Sequence, residues 1–192
     1  MKIAPHEIGF DFDGVIADTT TAFIDLACDK YRYCSFTMED ITSFQVEECL
    51  PMPVDIVNRI FLDILEDSLA VGLKPLPGAV DVIQDMARAG SVTVITARHL
   101  KQPLIDWFEE FFTTQAQQAI NLVVMGNHDD KLRYVREHNL KYFVDDRAET
   151  CQKLAEADIT PLVFNQPWNR NRHTLQSVSN WQEIRAMLTL PN

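Results

Sequence analysis

The sequence predicts an α/β fold: a Rossmann-like parallel sheet with helices on both faces, and a small all-helical cap inserted after the first strand. From residue 78 onward, short β-branched runs alternate with segments whose apolar residues recur at helical spacing. Between residues 19 and 75 no strand-like run occurs, and the apolar spacing is helical. The chain is therefore predicted to divide into a core, residues 1–18 and 76–192, and a cap, residues 19–75.

The first predicted strand is the short apolar run around Ile8 and Phe10, and it ends on two carboxylates, Asp11 and Asp13. Burying an unpaired charge is costly, so a buried strand that ends in acids indicates a bound cation or a reaction at its end. The stretch EIGFDFDGVIAD that contains it is the point around which we expect the site to be built.

The cap is predicted from two apolar stripes at helical spacing, one that includes Phe23 and one that includes Phe61. This segment leaves the core just after the first strand and returns before Gly78. We therefore expect its two connections to hold it above the acidic end of the first strand.

Strands and helices alternate along the rest of the chain. The predicted elements are a helix over residues 78–88, a strand over 91–96, a helix over 103–112, a strand over 121–125, a helix that opens at Lys131, a strand over 141–144, a helix around Cys151, a strand over 160–164 and a closing helix over 181–188. Alternation at this length predicts parallel strands covered by helices on both faces of the sheet.

Polar residues stand at the ends of three of these predicted strands. Asp11 follows the first strand, Thr96 ends the second, and Asp145 with Asp146 follows the strand that begins at Lys141. In an open parallel sheet, functional residues collect at the carboxyl ends of the strands. We therefore expect these side chains to meet at one edge of the sheet.

These residue types suit phosphoryl transfer. A carboxylate attacks phosphorus only when the negative charge of the phosphoryl group is neutralised, and Mg²⁺ does this with hard oxygen ligands. Asp11 and Asp146 could supply such ligands, while Lys131 adds a fixed positive charge. The Thr96 hydroxyl and nearby backbone N–H groups could hold phosphoryl oxygens, and Asp13 could act as general acid and base.

The order of these motifs resembles that of the haloacid dehalogenase superfamily of phosphohydrolases. DFDGV is similar to its first motif, the threonine of ITAR to its second, the lysine of DDK to its third and YFVDD to its fourth. The resemblance implies an aspartyl phosphate on Asp11, an acid/base role for Asp13, and a small C1-type cap.

The same resemblance implies a full set of site residues. The catalytic residues would be Asp11 and Asp13; the substrate and phosphate ligands would be Thr96, Ala97, Arg98 and Lys131; the Mg²⁺ ligands would be Asp11, Asp13, Asp145 and Asp146. Asp13 would contribute to the metal through its main-chain carbonyl. Superfamily members that cleave carbon–halogen bonds need no acid at position 13, so a phosphatase is favoured over a dehalogenase.

A finer resemblance concerns the substrate. DFDGVIAD followed by a helical cap, together with the late segment FNQPWNR, is similar to the 5′(3′)-deoxyribonucleotidase family and its bacterial relatives. This implies nucleoside monophosphates as substrates, held by aromatic residues. The candidates are Phe23, Tyr31, Tyr33, Phe36, Phe44 and Trp168.

Two alternatives stay open at this point. A phosphatase acting on a sugar phosphate or another small phosphate ester would keep the chemistry and change the substrate. A non-enzymatic phospho-acceptor of the receiver type also uses acids, a threonine, a lysine and Mg²⁺. A receiver, however, carries its phosphorylated aspartate on the third strand, where NLVVMG has none.

Composition limits the partners. The net charge of −11 over 192 residues disfavours binding to long nucleic acids, because the general electrostatic term would be repulsive. No apolar run approaches the roughly 20 residues needed to cross a bilayer, and MKIAPHEIGF lacks a signal-peptide core. We therefore expect a cytoplasmic protein with no membrane partner. The four cysteines, Cys28, Cys34, Cys49 and Cys151, form no CxxC pair and are predicted to be reduced.

Overall fold

Six parallel strands form the centre of the protein, in a computed structural model that describes residues 2–126 and 130–190. The strands are β1 (Ile8–Phe10), β2 (Val92–Thr96), β3 (Ile120–Val124), β4 (Tyr142–Asp145), β5 (Thr160–Phe164) and β6 (Ser177–Val178). Their order across the sheet is β3-β2-β1-β4-β5-β6, and each neighbouring pair is parallel. The predicted α/β fold with a parallel sheet is confirmed.

Eight α-helices accompany the sheet in the described part of the chain. They are α1 (Thr19–Tyr31), α2 (Val54–Glu66), α3 (Ala79–Ala89), α4 (Gln102–Phe111), α5 (Thr114–Ala119), α6 (Lys131–Glu137), α7 (Ala148–Ala155) and α8 (Trp181–Met187). The predicted helix and strand bounds agree with these to within one or two residues. Part of the loop before α6, residues 127–129, lies outside the described residues.

Helices cover both faces of the sheet, as predicted. Successive residues of a strand point to opposite faces, so neighbours in β2 and β4 enter different apolar clusters. Val94 and Val144 belong to the large cluster that includes residues of α3, α4 and α8. Ile95 and Phe143 belong to a smaller cluster with Val135 of α6 and a leucine of α7. Because both faces are buried, β2 can be an unbroken apolar and β-branched run.

The register of the sheet brings the predicted strand ends to one edge. Phe10 of β1 is opposite Val94 of β2 on one side and Val144 of β4 on the other. The ladder continues one step further, because the Asp11 N–H donates to the Val144 carbonyl at 2.9 Å. The chain therefore leaves β1, β2 and β4 at neighbouring points.

The segment between β1 and α3 is helical, as predicted for the cap. It contains α1, α2 and two 3₁₀ turns, Met38–Asp40 and Val46–Glu48. The two helices pack through Phe23 and Phe61, whose ring centroids are 5.0 Å apart. The division of the chain into a core, residues 1–18 and 76–192, and a cap, residues 19–75, stays a prediction.

The two connections between this segment and the core run side by side. The Asp18 N–H donates to the Lys74 carbonyl and the Leu76 N–H to the Ile16 carbonyl, each at 2.8 Å. A buried tryptophan anchors each connection. Trp181 Nε1 donates to the Val15 carbonyl, and Trp107 Nε1 donates to the Leu73 carbonyl, both at 2.8 Å. The start and the end of the segment are thus fixed next to each other.

The prediction that all four cysteines are reduced is wrong for two of them. Cys28 and Cys34 form a disulfide, while Cys49 and Cys151 are free. Arg32, just after α1, takes the left-handed conformation (φ 68°) and turns the chain back on itself. The turn brings the two cysteines to a Cα–Cα distance of 4.2 Å. This tight reversal, at a non-glycine residue, has no distinctive signal in the sequence.

Two short elements were not predicted. α5 has the sequence TQAQQA, in which no apolar stripe can be recognised, and β6 has only two residues. None of the described helices has both the length and the apolar character needed to span a membrane.

Candidate active site

Three carboxylates and one lysine meet at the end of β1 and β4. Ligand oxygens of Asp11, Asp145 and Asp146 all lie within 4.8 Å of one another. Lys131, the first residue of α6, contacts two of them: its Nζ is 2.9 Å from Asp11 Oδ2 and 2.6 Å from Asp145 Oδ2. The side chains of Lys131 and Asp145 are only 6% and 1% exposed, so this pairing is screened little by solvent.

A glycine makes room for Asp146. Gly14 has φ +70°, and a Cβ atom built there would lie 2.3 Å from Asp146 Oδ2. Any side chain at position 14 would therefore push Asp146 away from the acid cluster, in addition to the strain of its backbone conformation.

Asn169 and Gln166 support this arrangement from the loop after β5, and sequence reasoning missed both roles. Asn169 Nδ2 donates to the main-chain carbonyls of Asp146 (2.7 Å) and Phe164 (2.8 Å). Gln166 Nε2 donates to the Gly14 carbonyl at 2.8 Å. Both residues belong to the segment FNQPWNR. Its cluster of Asn and Gln side chains was the sequence signal that could have indicated these supporting hydrogen bonds. The loop therefore links the acidic ends of β1 and β4.

The acid cluster holds more negative charge than the lysine balances. Burial, with repulsion from Asp145, raises the pKa of Asp11 to about 7, although the charge of Lys131 opposes the shift. Burial and the neighbouring acids raise the pKa of Asp146 well above its usual range. Burial alone would lower the pKa of Lys131, but Asp11 and Asp145 outweigh it and the pKa is raised. The clustered hard oxygens suit a cation such as Mg²⁺, which would relieve the repulsion.

This imbalance predicts a pH effect on the stability of the metal-free protein. A carboxyl group whose pKa is about 7 in the folded protein, against an ordinary value of 3.8, binds its proton more tightly when the chain is folded. Its contribution to stability is therefore lost as the pH rises from about 4 to about 7, by about 2 to 4 kcal/mol. Urea unfolding in EDTA across this range should show the loss in the wild type and a smaller loss in Asp11→Asn. If the free energy of unfolding changed with pH in the same way in both proteins, the prediction would be wrong.

Asp13 points away from this cluster and pairs with Arg98. Arg98 Nε donates to Asp13 Oδ2 at 2.8 Å, and Arg98 Nη2 donates to Asp13 Oδ1 at 2.7 Å. Thr19 Oγ1 also donates to Asp13 Oδ1, at 2.5 Å. Burial would raise the pKa of Asp13, but the charge of Arg98 and these hydrogen bonds hold it below its usual range. The guanidinium predicted to bind phosphate is thus directed at the predicted acid/base residue.

Thr96 and Ala97 line the same cavity as the acid cluster and the Asp13–Arg98 pair. Thr96 is buried at the end of β2, and its Oγ1 accepts a hydrogen bond from the Arg98 N–H at 3.3 Å. Both residues line a cavity that Asp11, Asp13 and Lys131 also line. The predicted catalytic, phosphate-binding and metal-binding residues therefore come together around one space.

That cavity has a volume of about 470 Å³ and extends toward the helical segment. Its lining is largely apolar and includes the aromatic residues Phe23, Phe44, Phe61 and Trp168. Three of these were predicted from the sequence, and Phe61 was not named as a cavity residue.

Within the described chain, the other predicted aromatics, Tyr31, Tyr33 and Phe36, lie outside this lining. Tyr33 and Phe36 instead stack on each other, with ring centroids 6.0 Å apart.

The sequence of this chain matches a family model and several known proteins. The family model described as "5′ nucleotidase, deoxy (pyrimidine), cytosolic type C protein" matches residues 5–191, which is nearly the whole chain. The chain belongs to this type C nucleotidase family. A provisionally named nucleotidase of Halalkalibacterium halodurans is 24% identical over 183 residues, which cover 93% of this chain and 90% of that protein.

Solved structures agree with the fold of a type C nucleotidase. A provisionally named phosphoglycolate phosphatase from Lactobacillus delbrueckii subsp. bulgaricus superposes with a TM-score of 0.64 at 15% identity, covering 99% of this chain and 100% of that one. A haloacid dehalogenase superfamily hydrolase from Geobacter sulfurreducens gives a TM-score of 0.59 at 14% identity and covers 95% of each chain. The fold implied by the predicted superfamily is confirmed, and the predicted nucleotidase family is confirmed by the family model.

Membership of the type C nucleotidase family settles the class of activity. The protein is a hydrolase of the phosphatase and nucleotidase class, as predicted. Hydrolases of this superfamily generally use a divalent metal, and the cluster of Asp11, Asp145 and Asp146 provides suitable ligands. The receiver-type alternative is excluded by the same family membership.

Proposed function

We propose that this protein is a Mg²⁺-dependent phosphomonoesterase that hydrolyses nucleoside monophosphates through an aspartyl phosphate on Asp11. The observation that carries the proposal is the meeting of Asp11, Lys131, Asp145 and Asp146 in the lining of a cavity that aromatic side chains also line. A cytoplasmic location stays a prediction.

In this proposal, Mg²⁺ would be held by the carboxylates of Asp11 and Asp146 and by the main-chain carbonyl of Asp13, with Asp145 as a supporting or second ligand. The bound ion would neutralise charge on the phosphoryl group. Lys131 would add a second positive charge, since it already contacts Asp11 and Asp145. The Thr96 hydroxyl and the Ala97 N–H would orient phosphoryl oxygens at the end of β2.

The first step is the transfer of the phosphoryl group to the protein. An Asp11 carboxylate oxygen forms a bond to phosphorus while the bond from phosphorus to the leaving oxygen breaks. Asp13 donates a proton to that leaving oxygen, so that an alcohol departs. The orientation of Asp11 is fixed before reaction, because its Oδ1 accepts the Phe12 N–H at 2.7 Å.

The second step is hydrolysis of the aspartyl phosphate. Asp13, now ionised, takes a proton from a water molecule that attacks phosphorus, and the bond between phosphorus and Asp11 breaks. Inorganic phosphate leaves and both carboxyl groups return to their starting states. The charge of Arg98 holds the pKa of Asp13 below its usual range, which favours the ionised form that this step requires and opposes the protonated form that the first step requires.

A nucleoside fits the remaining space. Cavities that bind small molecules combine an apolar wall with a few polar groups, and aromatic side chains suit the flat face of a base. Phe23, Phe44, Phe61 and Trp168 supply aromatic surface in the same cavity as the acids. The size of the cavity, about 470 Å³, falls within the usual range for small-molecule sites.

A panel of phosphomonoesters tests the substrate. We expect kcat/KM for the best nucleoside monophosphate to exceed that for sugar phosphates by about tenfold or more, because the apolar wall has no partner in a sugar. Phosphate release is measured with Mg²⁺ and repeated in EDTA. Preferential hydrolysis of sugar phosphates, with no activity on nucleoside monophosphates, would favour the alternative substrate class.

A further inference from the structure

The Arg98 side chain joins the predicted acid/base residue to the helical segment. We propose that Arg98 is a positioning residue: it holds Asp13 for proton transfer and, through Ser68, ties the placement of Asp13 to the end of α2. The inference rests on the proposed phosphatase mechanism and assigns Arg98 a role other than phosphate binding.

The contact with Asp13 fixes an orientation. Nε and Nη2 of Arg98 bind the two different carboxylate oxygens of Asp13, at 2.8 and 2.7 Å. A two-point contact of this kind sets both the position and the plane of the carboxylate. The Arg98 side chain is only 2% exposed, and its guanidinium lies over the Phe12 ring, 4.8 Å from the centroid. It is therefore held in place by packing as well as by its charge.

The third contact leads into the helical segment. Arg98 Nη1 donates to Ser68 Oγ at 2.7 Å, and Ser68 Oγ donates to the Ile64 carbonyl in the last turn of α2 at 2.9 Å. Ser68 is 1% exposed, so these two hydrogen bonds have no competition from bulk water. A continuous chain of contacts thus runs from α2 through Ser68 and Arg98 to Asp13.

The chemistry explains why this placement matters. A general acid must lie within hydrogen-bond reach of the leaving oxygen. The need for its proton depends on the leaving group: an alkoxide, as from a nucleotide, is a poor leaving group without a proton, whereas nitrophenolate leaves as a stable anion. Loss of Asp13 positioning should therefore slow the release of an alcohol far more than the release of nitrophenol.

The test compares two substrates in Arg98→Gln. With Mg²⁺ present, we expect kcat/KM on a nucleoside 5′-monophosphate to fall by about 30-fold to 100-fold, and kcat/KM on p-nitrophenyl phosphate by less than about threefold. The comparison uses kcat/KM because this quantity covers only the steps up to the first phosphoryl transfer, whereas the later hydrolysis of the aspartyl phosphate is common to both substrates. KM should change little, because the guanidinium is not a phosphate ligand in this proposal. Ser68→Ala removes only one contact of Arg98 and should shift the ratio of the two rates in the same direction by about threefold to tenfold.

A matched control and a second variant keep the test sharp. Arg88→Gln removes an exposed arginine that pairs with Asp85 in α3, remote from the cavity lining, and should leave both rates unchanged. If Arg98→Gln does not fold, Ser68→Ala decides alone. Equal losses on the two substrates, a rise in KM without loss of kcat, or no loss in either variant would overturn the inference. A wild-type protein that releases phosphate from neither substrate would overturn the proposed function, and this inference with it.

Discussion

Replacing Asp11 with asparagine is expected to lower kcat for phosphate release by about a thousandfold or more. Asparagine keeps the size of the side chain and can still accept the Phe12 N–H, but its amide cannot form the phosphoryl ester. The measurement is phosphate release from a nucleoside monophosphate at saturating Mg²⁺. Acid quenching after brief exposure to labelled substrate should also recover labelled protein from the wild type and none from the variant.

Asp81→Asn is the matched control, because Asp81 is an exposed acid in the first turn of α3. Its loss removes the same charge from the surface and should leave kcat within about twofold of the wild type, as expected for a surface site. Undiminished turnover in Asp11→Asn would show that another group attacks phosphorus and would sink the proposed mechanism.

The fold could be predicted because its signals are local. The β-branched run of β2 and the apolar stripes of α3 and α4 each identify one element within a dozen residues. Because strands and helices alternate, a parallel sheet covered by helices on both faces is the architecture that buries the apolar side of every element. The short elements α5 and β6 were not predicted, because neither is long enough to show a periodic spacing of apolar residues.

The site could be predicted in outline for a related reason. Parallel strands align their carboxyl ends, so residues distant in the chain, such as Asp11, Thr96 and Asp145, were expected to meet. Chemical type then limits the roles available to acids, a hydroxyl and a lysine. What the pattern supplies is proximity, and proximity alone does not tell which partner each side chain binds.

Partner choice depends on three-dimensional details that no spacing rule encodes. Arg98 immediately follows Ala97 at the end of β2, where phosphate binding is proposed, yet its side chain extends to Asp13 and Ser68, 85 and 30 residues away in sequence. Asn169 supports Asp146 through a backbone carbonyl, which any residue would present. The pairing of Cys28 with Cys34 likewise depends on a turn whose left-handed residue is an arginine.

Removal of divalent metal is the second change with a large expected effect. In EDTA, we expect kcat/KM to fall by about 100-fold or more, because the phosphoryl charge and the acid cluster would both lack their neutralising cation. Without it, burial and repulsion from Asp145 keep Asp11 partly protonated near neutral pH. A protonated Asp11 is a poor nucleophile. Mg²⁺ should restore activity, whereas Ca²⁺, which is larger and tolerates other geometries, should restore much less.

Binding of the ion has a readout that does not depend on catalysis. Because Mg²⁺ would bind the folded protein and not the unfolded chain, Tm should rise with Mg²⁺ concentration, by an amount equivalent to about 2.7 kcal/mol at 100 times Kd. In Asp146→Asn, which removes a ligand charge next to Gly14, the rise should require higher Mg²⁺ concentrations, while Asp81→Asn should respond like the wild type. The proposal would be wrong if activity were undiminished in EDTA and Tm did not change with Mg²⁺ concentration. In that case Lys131 alone would neutralise the charge of Asp11 and Asp145, and the metal would have no role in the mechanism.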